Sequence, residues 1–132
     1  MKITEHLSLE EVACHDEGRT PYPEAWRTSR LIPLAEAFEY VRKVFGSAIV
    51  IDSGYRTEEY NRSIGGARNS QHVQGRALDL CPSNGNLPAL QNAVRQARAA
   101  GLINGIGYYP TFVHMDTREG QQATWYGGRD TN

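Results

Sequence analysis

The chain has 132 residues, 14 of them basic and 15 acidic, with four histidines and two cysteines. That length suits one domain, spanning 1–132 and able to bury roughly two-thirds of the surface its unfolded chain would expose. Charges that nearly cancel argue against a polyanion partner such as nucleic acid. No apolar run approaches the roughly 18 residues of a membrane span, and the opening Met1-Lys2-Ile3-Thr4-Glu5-His6 has no apolar signal core.

In chain order, Ser8-x-x-Glu11 forms a capping box ahead of a helix over Leu9 to Cys14. His15-Asp16-Glu17-Gly18 turns the chain, and both His15 and His6 read as polar surface. Pro21 and Pro23 make Thr20 to Arg30 turn-like. Leu34, Phe38, Val41 and Phe45 repeat at helical spacing and predict a helix from Pro33 to Phe45, stopped by Gly46. Ile49-Val50-Ile51 reads as a buried strand ending in Ser53-Gly54-Tyr55-Arg56, after which Thr57 caps a short helix through Arg62. Gly65-Gly66 opens a loop that delivers Ser70 and His72, and a strand runs from Arg76 to Cys81. Asn86 caps a helix with Pro88 in its first turn, running to Ala100 and stopped by Gly101. Gly105 to Tyr109 and Phe112 to Thr117 form a hairpin about Pro110-Thr111. The segment 120–132 reads as a loose polar tail, with Trp125 folding back onto the body. Helices and strands do not alternate regularly, so the expected class is α+β: a small, mostly antiparallel sheet backed by helices, with one face open.

Two stretches carry the chemistry: Ser70-Gln71-His72-Val73-Gln74-Gly75-Arg76-Ala77-Leu78-Asp79 and Phe112-Val113-His114-Met115-Asp116. A zinc ion that does chemistry takes three protein ligands, drawn from His, Asp, Glu and Cys, and keeps a fourth position for water. His72, Asp79 and His114 are the expected ligands of one such ion. Strand alternation sends Leu78 and Leu80 to the core and turns Ala77, Asp79 and Cys81 to the site. Gly75 permits the bend between the ligand loop and that strand. Asp116, two residues beyond His114, points the same way and is placed to take a proton from the attacking water, or else to orient a ligand imidazole. Cys14 and Cys81 do not make a disulfide framework and read as buried, reduced thiols, with a bridge between them or a metal-adjacent role for Cys81 left open. Ser70 lacks a spare histidine to activate it as a nucleophile, so it holds the loop or touches substrate.

Ser-x-His-x-x-Gly-x-Ala-x-Asp followed by a later strand-borne His resembles the zinc D-alanyl-D-alanine carboxypeptidases and L-alanyl-D-glutamate endopeptidases, a group with a hedgehog-like fold. Ser53-Gly54-Tyr55-Arg56, Gly105-Ile106-Gly107-Tyr108 and the run from Phe112 to Arg118 are similar to its murein endopeptidase branch. The likeness runs from about Leu7 to Trp125. It implies one Zn2+, a peptidoglycan substrate, and an Arg56 that lies beside the metal and binds a substrate carboxylate or carbonyl oxygen. Tyr108 or Tyr109 could offer the site a hydroxyl, with Tyr108 counted among the substrate-binding candidates. Many relatives place Glu three residues before the last ligand or His two before it, where this chain has Thr111 and Phe112. The His-x-Asp arrangement, here His114 and Asp116, belongs to the murein endopeptidase branch, and that resemblance implies Asp116 as the base.

The resemblance further implies cleavage of stem peptides or crosslinks, as a carboxypeptidase or an endopeptidase, by a phage-type lysin made in the cytoplasm and passed to the wall through a holin. The rival expectation is a non-catalytic, zinc-containing wall-binding or virion structural module.

Overall fold

The computed structural model describes residues 1–128. A small antiparallel pair, β1 (Lys2–Thr4) and β2 (Leu7–Ser8), leads into helix α1 (Leu9–Val12). The capping box is present: Ser8 Oγ accepts from the Glu11 amide while the Glu11 carboxylate accepts from the Ser8 amide. The helix is one turn long and ends before Cys14.

Helix α2 (Ile32–Phe45) and helix α4 (Leu87–Ala99) lie on one face of a five-stranded sheet; the one-turn helix α3 (Glu58–Ser63) lies between them in the chain. The strands are β3 (Ile49–Ser53), β4 (Ala77–Pro82), β5 (Gly105–Tyr108), β6 (Val113–Asp116) and β7 (Ala123–Tyr126), in the spatial order β3-β4-β6-β5-β7. Every pairing is antiparallel except β5 with β7. This is the expected α+β arrangement.

The helices cover the sheet because their apolar stripes match its apolar face. Leu34, Phe38 and Val41 of α2 and Leu90, Val94 and Ala97 of α4 pack in one cluster with Leu78, Leu80, Ile106, Val113 and Met115 of the strands. Alternation along β4 and β6 then turns Asp79, His114 and Asp116 to the opposite face.

Three expectations need correction. Thr20 to Arg30 is not simply turn-like: from Glu24 it winds through a 3-10 turn (Glu24–Trp26) and a wider turn (Arg27–Leu31) directly into α2. The prolines precede this winding, where a missing amide donor costs nothing. Strand β3 is buried on one side only; it is the sheet edge, and Val50 is 54% exposed. The segment from 120 is not uniformly loose. Ala123 to Tyr126 pairs with Gly105 to Tyr108, because the backbone of β5 would otherwise be an unpaired edge. Residues 129–132 of the expected tail lie outside the described residues.

Cys14 is buried and Cys81 half-exposed, and both are free thiols. No described helix is long and apolar enough to cross a membrane.

Leu80 is fully buried directly behind the row that carries the site. Leu80→Ala is expected to lower unfolding stability by about 2–5 kcal/mol, read as a lower urea midpoint with an unchanged slope.

Candidate metal centre

The sheet register builds the site. Asp79 on β4 is the direct partner of His114 on β6, and Ala77 is the partner of Asp116. On the other side of β6, Gly107 faces His114 and Gly105 faces Asp116. Asp116 thus has a residue with little or no side chain on both neighbouring strands, while His114 has Asp79 on one side and Gly107 on the other. A Cβ on Gly105 would run into the Asp116 carboxylate, and one on Gly107 would come within 2.6 Å of the Trp125 indole. His72 arrives from outside the sheet, on the loop that bends at Gly75 with φ +70°.

His72, Asp79 and His114 are all buried and converge. His72 Nε2 and His114 Nδ1 each lie 3.1 Å from Asp79 Oδ1. Tetrahedral zinc with bonds near 2.0–2.1 Å separates its donors by roughly 3.3 Å, so the spacing fits such an ion. A second observation agrees. His72 Nε2 is fully buried and has no hydrogen bond of acceptable geometry among the described residues. An orphaned buried ring nitrogen costs free energy unless something binds it, and its lone pair is directed at the other two donors.

The surroundings fix each ligand. His72 Nδ1 lies 2.8 Å from the Gly54 carbonyl, which sets the tautomer by accepting the Nδ1 proton and leaves Nε2 as an acceptor. The Ser70 hydroxyl accepts from the His72 amide at 3.1 Å, a contact within the loop that carries His72. His114 Nε2 lies 2.7 Å from Asp116 Oδ2, which leaves Nδ1 to face Asp79. Arg118 donates to Asp116 through Nε at 2.9 Å and Nη2 at 2.7 Å, and its amide donates at 3.1 Å.

These contacts set the charges. Burial works against the Asp79 anion, but His72 and His114 outweigh it and hold the carboxyl well below the usual range. Burial pushes His72 down, keeping its imidazole in the neutral form that binds metal. In His114 burial acts the same way, yet the flanking Asp116 and Asp79 raise it. For Asp116, burial is outweighed by His114 and Arg118, which hold it low.

The remaining candidates fall out differently. Asp116 was expected either to take a proton from the attacking water or to orient a ligand imidazole. Its carboxylate sits behind the His114 ring, on the nitrogen that points away from Asp79. Arg56 is beside the centre as expected, but it is only 2% exposed. Its guanidinium reaches Asp79 Oδ2 at 3.4 Å, Asn61 Oδ1 at 3.1 Å and Ser53 Oγ at 3.0 Å, so it braces a ligand. Tyr108 is on the wrong side of the sheet for a substrate contact. It stacks on Tyr126 and takes a hydrogen bond from Arg95 of α4. Period-two alternation puts Tyr108 with core-facing Ile106, opposite Gly105 and Gly107. Its neighbour Tyr109 does reach the site, accepting from Trp125 Nε1 at 2.8 Å. A cleft of about 330 Å³ is lined by Tyr109, Trp125, His114, Arg118 and the loop residues Ser70 and Gln71.

Cys81 is not among the converging donors; its thiol faces the Thr111 carbonyl at 3.6 Å. His6 meets Glu5 and Glu39 at the surface, where ion pairs account for all three. From the sequence, the Gly54 carbonyl and Arg118 had no individual role, and Trp125 was expected only to fold back onto the body. Arg118 stood within the quoted run from Phe112, but its grip on Asp116 depends on the backbone turn after β6.

The sequence model of the family described as Peptidase M15 matches residues 5–116. The chain belongs to the peptidase M15 family. Over 86 residues it is 35% identical to the probable peptidoglycan L,D-endopeptidase MepK of Haemophilus influenzae, covering 60% of this chain and 43% of that protein. Over 72 residues it is 40% identical to the peptidoglycan L,D-endopeptidase MepK of Escherichia coli K12, covering 49% of this chain and 37% of the relative. The matched region is therefore less than half the length of these curated relatives. Both imidazoles and the carboxylate of a metallopeptidase-type centre are in place in this M15 chain.

If Asp116 acts through His114, Asp116→Asn should weaken zinc affinity by about 10–100-fold, measured by competition with a chelating dye. A carboxylate that touched only the attacking water would leave that affinity unchanged and lower turnover alone.

Proposed function

We propose that this chain is a zinc-dependent peptidase that hydrolyses peptide bonds in bacterial peptidoglycan, as an endopeptidase acting on stem peptides or crosslinks. The observation that carries it is the orphaned, buried Nε2 of His72, aimed at Asp79 and His114 in a chain of the M15 family. The names of the relatives favour an endopeptidase over a carboxypeptidase.

His72 Nε2, Asp79 Oδ1 and His114 Nδ1 would hold the ion. When bound, zinc supplies a Lewis acid for the peptide carbonyl and lowers the pKa of water. The chain's own residues do the positioning. Gly54 holds the His72 tautomer, and Asp116 accepts the Nε2 proton of His114 so that Nδ1 keeps its lone pair for the metal. Arg118 keeps Asp116 ionised and fixed, and Arg56 carries the positive charge that balances Asp79 on its far side. The orienting role of Asp116 is supported by its place behind the ring and by the three donors of Arg118 that surround it.

The cleft beside His114 takes the scissile segment. Its walls are the Tyr109 and Trp125 rings on one side and the Ser70-Gln71 loop on the other. The aromatic wall excludes water from one side of the bond, and the side-chain amides of Asn69 and Gln71 offer donors and acceptors to a peptide backbone. A lysin of phage type, made in the cytoplasm and reaching the wall by way of a holin, is the finer form of this proposal; it rests on the motif likeness alone.

Purified peptidoglycan fragments incubated with the protein should show separated crosslinks by mass spectrometry, and a chelator should abolish the change. Loss of terminal D-alanine alone would make the enzyme a carboxypeptidase. Fragments left intact by a zinc-loaded protein would overturn the peptidase reading in favour of a wall-binding module. His72→Ala is expected to remove both the bound zinc and the cleavage, with metal analysis as an independent readout.

A further inference from the structure

A larger cleft, of about 900 Å³, shares Asn69, Ser70 and Gln71 with the cleft beside His114, so the two meet along one loop. Its size is that of a ligand pocket rather than a surface dimple. Four arginines line it, Arg30, Arg62, Arg68 and Arg76, against two glutamates, Glu58 and Glu119. The chain as a whole carries 14 basic and 15 acidic residues, so this cleft concentrates positive charge that the rest of the surface lacks.

The four arginines are not equivalent. Arg30 donates to the Gln74 carbonyl at 2.8 Å and lies over the Trp26 ring, and Arg76 reaches Glu119 at 3.7 Å. Arg62, on the last turn of α3, and Arg68, on the loop leading to Ser70, are both exposed. Neither side chain has a hydrogen-bond or ion-pair partner among the described residues. A planar guanidinium presents a fork that matches a carboxylate, and two free forks beside a peptide-sized groove select for acidic groups on the peptide.

We infer that this cleft extends the substrate site and takes a peptide segment bearing free carboxylates, with Arg62 and Arg68 as its anchors. The inference rests on the peptidase reading above and adds a substrate class to it: acidic peptides over their amidated forms. A peptide running from the metal past Ser70 and Gln71 enters the arginine-lined groove a few residues from the scissile bond. Arg62 and Arg68 touch none of the metal-binding residues, so their contribution is to binding.

The test is calorimetric titration of the full zinc-loaded chain with γ-D-glutamyl-diaminopimelate and with its carboxamide. The wild type should bind the acid more tightly than the amide, and added salt should narrow the difference. In Arg62→Gln/Arg68→Gln the acid should bind about tenfold more weakly, with amide binding, zinc content and thermal unfolding unchanged. Arg62→Lys/Arg68→Lys should recover part of the loss, since charge remains but the fork does not. Equal binding of acid and amide by the wild type, no binding of either, or full acid binding by the Gln double variant would each overturn the assignment. Acid-selective binding that disappears in the Gln variant, from a protein that cleaves no peptidoglycan, would uphold the cleft while the peptidase reading fails.

Discussion

The interaction on which the structure depends is the Asp79 carboxylate, buried between two imidazoles on one oxygen and the Arg56 guanidinium on the other. A carboxylate taken out of water is costly unless paired and hydrogen-bonded. Each partner comes from a different part of the chain: His72 from the Gly75 loop, His114 from β6, and Arg56 from the segment after β3. Removing Asp79 would strand a buried guanidinium and two ring nitrogens together. One charged side chain thereby ties the sheet to the loops that flank it.

The sheet has been shaped around that charge. Across β4, β6, β5 and β7 the register sets Asp79, His114, Gly107 and Trp125 in one row, and Ala77, Asp116, Gly105 and Ala123 in the next. The glycines of β5 leave the Asp116 carboxylate and the Trp125 indole space that a side chain there would fill. The opposite face holds the leucines and valines that pack on α2 and α4. Core and site are thus the two sides of the same strands, and rigid packing behind the donors limits how far they can drift. The cleft beside His114 has an aromatic wall of Tyr109 and Trp125, and the cleft adjoining it is lined by arginines.

Much of this was legible in the sequence, for a physical reason. Period-two alternation in Ala77-Leu78-Asp79-Leu80 and in Val113-His114-Met115-Asp116 assigns faces without knowledge of partners. Helical periodicity does the same for α2 and α4, and Ser8, Thr57 and Asn86 announce their helices because a cap bonds amides only two or three residues away. Where expectation and structure part, the deciding contact is remote. Strand β7 reads as a polar tail until β5 lies beside it. Ile49-Val50-Ile51 has the composition of a buried strand, but among the described residues β3 has no neighbour beyond it. Tyr108 and Tyr109 are adjacent and chemically alike; which one meets the site depends on where β5 ends.

By itself, the sequence determined the fold class, the three side chains of the candidate metal centre and the loop that brings His72 to the sheet, since these follow from local spacing and residue chemistry. Tertiary structure alone decided what the groups around them do. Asp116 is an acid two residues from a ligand in either account, and only the packed sheet shows it lodged behind the ring and gripped by Arg118. Arg56 is a cation near the site in either account, and only its burial against Asp79 and Asn61 turns it inward. Roles of this kind depend on which atom of a side chain faces which neighbour, and that is fixed by elements far apart in the chain.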